Sequence, residues 1–89
     1  MPATNVFIDR KAQKQLGKLP KNIQDKISDA IDVLQQEGFS KKLNIKKIQS
    51  LTNSFRVRVG TYRILFLFSS GNTIEIYAIL PRKNAYNKT

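Results

Sequence analysis

The chain has 89 residues, with 16 Lys and Arg against 6 Asp and Glu for a formal charge of +10, and contains neither cysteine nor histidine. This excludes a disulfide framework, a thiolate nucleophile, a serine–histidine pair and the usual zinc sites. It points instead to an anionic partner: nucleic acid, an acidic protein, or both.

The length sets the expectation of one small domain over residues 1–89. Residues 1–5 lack a basic start and no long apolar run comes after them, so neither a secretory leader nor a membrane segment is expected, which agrees with a cytoplasmic protein. Asn5 to Ile8 is short, apolar and β-prone, and reads as a first strand at a sheet edge. Asp9 can cap a helix that begins at the next residue. Residues 10–18 read as a short basic helix with Ala12 and Leu16 inward and Gly17 weakening its end. Arg10, Lys11, Lys14 and Lys18 decorate that helix, as a solvated face or as a grip on nucleic acid.

Pro20 suits the first position of a second helix. Ile23, Ile27, Ala30, Ile31 and Leu34 recur at helical spacing and Gly38 is a natural stop, which predicts a helix over about residues 21–37. Asp25, Asp29 and Asp32 fall opposite that stripe. Ligands from a single helix cannot surround an ion, so these carboxylates are expected to be a solvated face and not a metal site. Residues 39–54 read as a mostly irregular basic connector anchored by Leu43, Ile45, Ile48 and Leu51, with a short strand possible near Leu43 to Ile45. Its lysines, Lys41, Lys42, Lys46 and Lys47, read either as a docking rim or as charges that keep a loop soluble.

The stretch from Phe55 to Phe68 carries the strongest local signal. Gly60 can adopt the positive φ that a two-residue II′ turn needs, so Gly60 and Thr61 are expected to join two antiparallel strands. Val59 then pairs with Tyr62, Arg58 with Arg63, Val57 with Ile64 and Phe55 with Phe66. Side chains alternate across a strand. Phe55, Val57, Val59, Tyr62, Ile64, Phe66 and Phe68 therefore share an apolar face, and Arg56, Arg58 and Arg63 share the other. Like charges directly opposite cost up to ~1 kcal/mol. Either the guanidinia diverge into water, or they form an anion site, for which the planar, permanent charge of arginine suits phosphate.

A Ser70-Gly71-Asn72 loop leads to a third meander strand from Thr73 to Leu80, with Ile74, Ile76, Ala78 and Leu80 expected toward the core. The outer face then carries rows of Arg58, Arg63 and Ile79, of Arg56, Leu65 and Tyr77, and of Ser54, Leu67 and Glu75. A basic patch beside the Tyr77 ring suits single-stranded nucleic acid. Leu65, Leu67 and Ile79 are expected to be exposed there and open to cover by a partner segment. Pro81 ends the strand. Arg82 comes next, near the Gly60 turn and within reach of Arg63, and Lys83 and Tyr86 lie beyond it.

No glycine-rich phosphate loop is present; the 4 glycines are scattered at turns and helix ends. Arginine, lysine, tyrosine and Glu75 suit electrostatic stabilisation of a phosphorane-like transition state. In RNA cleavage by the neighbouring 2′-hydroxyl, the nucleophile arrives with the substrate. Arginine is not a base at neutral pH, its pKa exceeding ~12. Proton transfer would then fall to Tyr86, a lysine or Glu75.

These features together resemble the RelE/ParE superfamily of bacterial toxins from toxin–antitoxin pairs. The resemblance is carried by the strand and two helices joined at Leu19-Pro20, by the hairpin from Arg56 through Gly60 to Tyr62-Arg63, and by the closing run from Pro81-Arg82 to Tyr86. It implies an α+β fold, β-α-α-β-β-β, with two N-terminal helices on one face of a small, mainly antiparallel sheet. RelE-like members cleave mRNA in the ribosomal A site, leaving a 2′,3′-cyclic phosphate. By that resemblance Arg63 and Arg82 bind and stabilise the scissile phosphate, and Tyr86 stacks on or helps activate the reacting nucleotide. Arg56 and Arg58 lie in the active groove. The expected catalytic set is Arg56, Arg63, Arg82 and Tyr86. Arg58, Lys46, Lys47, Lys83 and Tyr77 are expected to contact RNA or ribosome.

The best-known RelE-like members carry proton-transferring lysines at the positions aligned with Ser54 and Arg56. This chain departs from that pattern at both. The resemblance further implies a cognate antitoxin, with ribosome and mRNA as the other partners and no membrane, metal or small-molecule cofactor. ParE-like members share the fold but inhibit DNA gyrase, which is the alternative. A non-catalytic basic RNA-binding protein is a third reading.

Overall fold

The computed structural model describes residues 4–82, and within it each local signal becomes an element. The order is β1 (Asn5–Ile8), α1 (Arg10–Gly17), α2 (Lys21–Glu37), β2 (Asn44–Lys47), β3 (Ser54–Val59), β4 (Tyr62–Ser69) and β5 (Thr73–Pro81). The strands form one sheet in the order β1-β5-β4-β3-β2. β2 through β5 pair antiparallel, while β1 lies at the edge, parallel to β5.

Asp9 sits in extended backbone and its Oδ1 accepts the Ala12 N–H at 2.8 Å, which satisfies an otherwise orphan donor in the first turn of α1. Pro20 stands one place earlier than expected, at the N-cap of α2, where it has no side-chain cap to offer. α2 ends at Gly38, whose φ of 68° would strain any other residue and whose N–H reaches the Leu34 carbonyl at 2.9 Å. A side chain there would also crowd Thr4, since a Cβ would lie 3.1 Å from Oγ1.

The helices cover one sheet face. Ala12, Ile27, Ala30, Ile31 and Leu34 pack onto Val57, Ile64, Phe66, Ile74, Ile76 and Ile79. Phe39 closes one end of this core, set edge-on to Phe55, Phe66 and Phe68 with centroids 4.8, 5.7 and 5.2 Å away.

The hairpin has the expected register, with Arg58 opposite Arg63, and turns through Gly60 at φ 60°. The loop of Ser70 to Asn72 also holds, pairing Ser69 with Thr73. Beyond Ile76 the expected alternation fails. Phe66 pairs with Ile76 but Leu65 pairs with Ala78, so Tyr77 is the extra residue of a β-bulge. Ile79, expected outside, is therefore in the helix-covered core at 2% exposure. Ala78 and Leu80, expected inside, join Leu65 on the opposite face. Where β1 has ended, Gln15 of α1 takes over as neighbour to β5: its Oε1 accepts the Ile79 N–H at 2.8 Å.

Two further expectations are corrected. The connector is mostly irregular as expected, but its short strand falls at Asn44–Lys47, shifted from Leu43–Ile45, and adds a further antiparallel edge strand beside β3. Leu65 is not exposed; Ile48 from the connector, Ala78, Tyr77 and Leu80 pack around it in a small second cluster.

Candidate functional site

The face away from the helices collects the cations. The β2–β3 register sets Asn44 opposite Arg58 and Lys46 opposite Arg56, and the β3–β4 register sets Arg63 opposite Arg58. These side chains line one shallow pocket: Asn44, Lys46, Arg56, Arg58 and Arg63. Four cations and one neutral amide face it, and among the described residues no carboxylate lines it. That concentrates positive charge on one patch of the sheet.

Arg63 is the best-held member. It is 2% exposed, and its Nη1 donates to the carbonyls of Tyr62 at 3.0 Å and Gly60 at 3.4 Å. Both of these acceptors are neutral backbone carbonyls, and they fix the direction in which the guanidinium points. The tight turn thus does two jobs: it reverses the chain and it presents carbonyls that aim the arginine. Arg82 stands beside the same turn, its backbone N–H donating to the Thr61 carbonyl at 2.8 Å.

Other candidates lie elsewhere. Lys47 is paired with Phe55 and so belongs to the helix side; its Nζ is 5.6 Å from the Phe55 ring centroid and donates to the Leu51 carbonyl at 3.2 Å. Tyr77, at the bulge, packs on the Leu65 cluster instead of continuing the row with Arg56. Glu75 is opposite Leu67, four residues along β4 from Arg63, a distance of roughly 13 Å at ~3.3 Å per residue. It does not line the pocket. Lys83 and Tyr86 lie outside the described residues. Asn44 is a lining residue that sequence reasoning missed; its alternation with Lys46 is the signal that could have found it.

Most of the acids lie on the helix side, with Glu75 the exception on the arginine face. Asp25, Asp29 and Asp32 are exposed on α2. Lys21 bonds Asp25 at 2.9 Å, and that hydrogen bond raises the ammonium above the usual lysine range. Lys42 at 2.8 Å, and after it Ser40, holds the Glu37 carboxyl below the usual carboxylate range. Among the described residues no three acidic groups gather to hold a metal ion.

Helices on one face of a small sheet, with converging arginines on the other, define a compact basic module built to meet an anion. Residues 6–86 match the family described as ParE toxin of type II toxin–antitoxin system, parDE. The chain is 37% identical over 76 residues to Toxin RelE3 of Methanocaldococcus jannaschii, spanning 83% of this chain and 85% of that protein. Its fold is similar to a chain of the RelB–RelE antitoxin–toxin complex of Methanococcus jannaschii, with a TM-score of 0.78, 32% identity, and coverage of 92% and 96% of the two chains. It is equally similar to a chain of the archaeal RelE–RelB complex of Pyrococcus horikoshii OT3, with a TM-score of 0.78, 25% identity, and coverage of 90% and 96%. The chain belongs to the RelE/ParE superfamily of toxins from type II toxin–antitoxin systems.

Proposed function

We propose that this toxin is a cytoplasmic, ribosome-dependent endoribonuclease that cleaves mRNA in the A site. The observation that carries this reading is the convergence of Arg56, Arg58, Arg63 and Lys46 on one pocket. Such a pocket fits a phosphodiester, and its charge is set in place before the reaction begins. The 2′-hydroxyl of the bound nucleotide attacks the adjacent phosphorus, the bond to the 5′-oxygen breaks, and a 2′,3′-cyclic phosphate remains. Arg63, oriented by two carbonyls, and Arg82, beside the same turn, neutralise the charge that grows on the phosphoryl oxygens. Arg56 and Arg58 hold the flanking backbone, and Tyr86 stacks on the reacting base. Lys83 adds to the contact with RNA. The ribosome contributes by forcing the mRNA into in-line geometry.

A protein antitoxin is the second partner. The named relatives of known structure are complexes of RelE with RelB, which supports a cognate antitoxin that masks the groove of this chain.

The test is reverse-transcriptase mapping of a defined mRNA on programmed ribosomes, with wild type beside Arg63→Ala. The expected outcome is a cut within the A-site codon that the variant loses, by about 10²-fold or more if one charge-stabilising donor is removed. Intact mRNA on active ribosomes would reject the reading. The match to the ParE toxin family favours gyrase inhibition as the second reading. In that case supercoiling is blocked, and Arg63→Ala and Tyr86→Phe have little effect on toxicity.

A further inference from the structure

Cleavage by a 2′-hydroxyl leaves one chemical demand that arginines meet poorly. The departing 5′-oxygen must receive a proton, and an acid serves best when its pKa lies near the working pH. A guanidinium, with a pKa above ~12, gives up its proton reluctantly. Of the five described residues lining the pocket, three are arginines and Asn44 carries no exchangeable charge. Lys46 is the remaining one.

Its setting suits the task. Lys46 is exposed on β2 and paired directly with Arg56 of β3, and β3 alone separates its strand from β4, which carries Arg63. Strands two apart are separated by roughly 10 Å, so a four-carbon lysine stem from β2 and the Arg63 side chain from β4 can meet at a phosphate held over β3, in the pocket both line. Among the described residues, Nζ of Lys46 makes no hydrogen bond or ion pair, whereas the neighbouring Lys47 is tied to Leu51 and the Phe55 ring. Of two adjacent lysines, one is anchored on the helix side and the other is left untethered at the arginine pocket.

We infer that Lys46 is a catalytic residue of this toxin, the general acid that protonates the leaving 5′-oxygen. The inference rests on the proposed RNA cleavage. The 2′-oxygen forms its bond to phosphorus as the bond from phosphorus to the 5′-oxygen breaks. Lys46 Nζ gives a proton to the 5′-oxygen. Water accepts the proton of the 2′-hydroxyl and returns it to the amine, so the enzyme ends the cycle unchanged and no net charge is created.

The experiment compares single-turnover cleavage by wild type, Lys46→Arg and Lys46→Met on programmed ribosomes. Two mRNAs are used, one ordinary and one with sulfur replacing the bridging 5′-oxygen at the scissile position. A thiolate leaves without protonation. Both variants are expected to cut the ordinary mRNA at least about 100-fold more slowly than wild type. On the sulfur substrate all three are expected to cut at similar rates. Lys46→Arg keeps the charge, so its failure on the ordinary substrate is not a failure to bind. Wild-type rates for Lys46→Arg on the ordinary mRNA would overturn the inference. So would an equal loss on both substrates, which would mark Lys46 as a binding residue only. If wild type cuts neither mRNA, the cleavage reading itself fails and the inference falls with it.

Discussion

Arg58 and Arg63 face each other across a two-residue hairpin, an arrangement with an electrostatic cost. Arg58 is exposed and Arg63 is buried against backbone carbonyls, so removing Arg58 relieves repulsion without opening a cavity. Arg58→Ala is expected to stabilise the fold by up to ~1 kcal/mol, seen as a higher urea midpoint with an unchanged slope. The same change weakens binding to single-stranded RNA and reduces the slope of log affinity against log salt by about 0.7, as for one lost phosphate contact. A variant that lost both stability and affinity would show that Arg58 packs instead of repelling. The three hairpin arginines were legible in the sequence because a two-residue turn fixes the register and alternation does the rest. Lys46 and Lys47 were not separable, because either phase fits a strand whose start is undefined. Only the pairing of Ile45 with Val57 assigns Lys46 to the groove.

At the scale of elements, α1 completes β5. Gln15 supplies a side-chain oxygen where β1 has run out, and the recipient N–H belongs to Ile79, whose side chain is buried in the core. Gln15→Ala leaves that donor without its protein partner, at a cost of about 1–3 kcal/mol in denaturant unfolding. Gln15→Glu is expected to recover most of it, since a carboxylate oxygen accepts equally well. The bulge beside this contact could not be read from the sequence. Ile74, Ile76, Tyr77, Ala78, Ile79 and Leu80 are apolar on both phases, so alternation carries no information about which residues face the helices. The helices were legible for the opposite reason: polar residues separate the apolar positions of α2 cleanly, and Gly38 marks its end.

For the molecule as a whole, most of the acid lies away from the arginine pocket. Exposed carboxylates lie on α2 and the arginine pocket lies across the sheet. A net charge of +10 repels itself in the compact state. Raising the salt concentration is therefore expected to raise the thermal midpoint of the isolated toxin while weakening its grip on RNA, two responses of opposite sign. A midpoint that fell with salt would show that the ion pairs at Asp25 and Glu37 outweigh the repulsion.

The parallel pairing of β1 with β5 also sets an order of assembly. Asn5 sits beside Thr73, and the bond from Ile79 to Gln15 spans 64 residues. A chain growing from its N-terminus makes β1, α1 and α2 long before the strand that joins them to the arginine hairpin exists. Until β5 has left the exit tunnel, β1 has no neighbour, α1 has no sheet beneath it and β4 lacks half of its bonding. On the proposed reading, a ribosome making this toxin holds back the strand that completes the weapon, and each newly made molecule becomes dangerous only after its own synthesis has moved past β5.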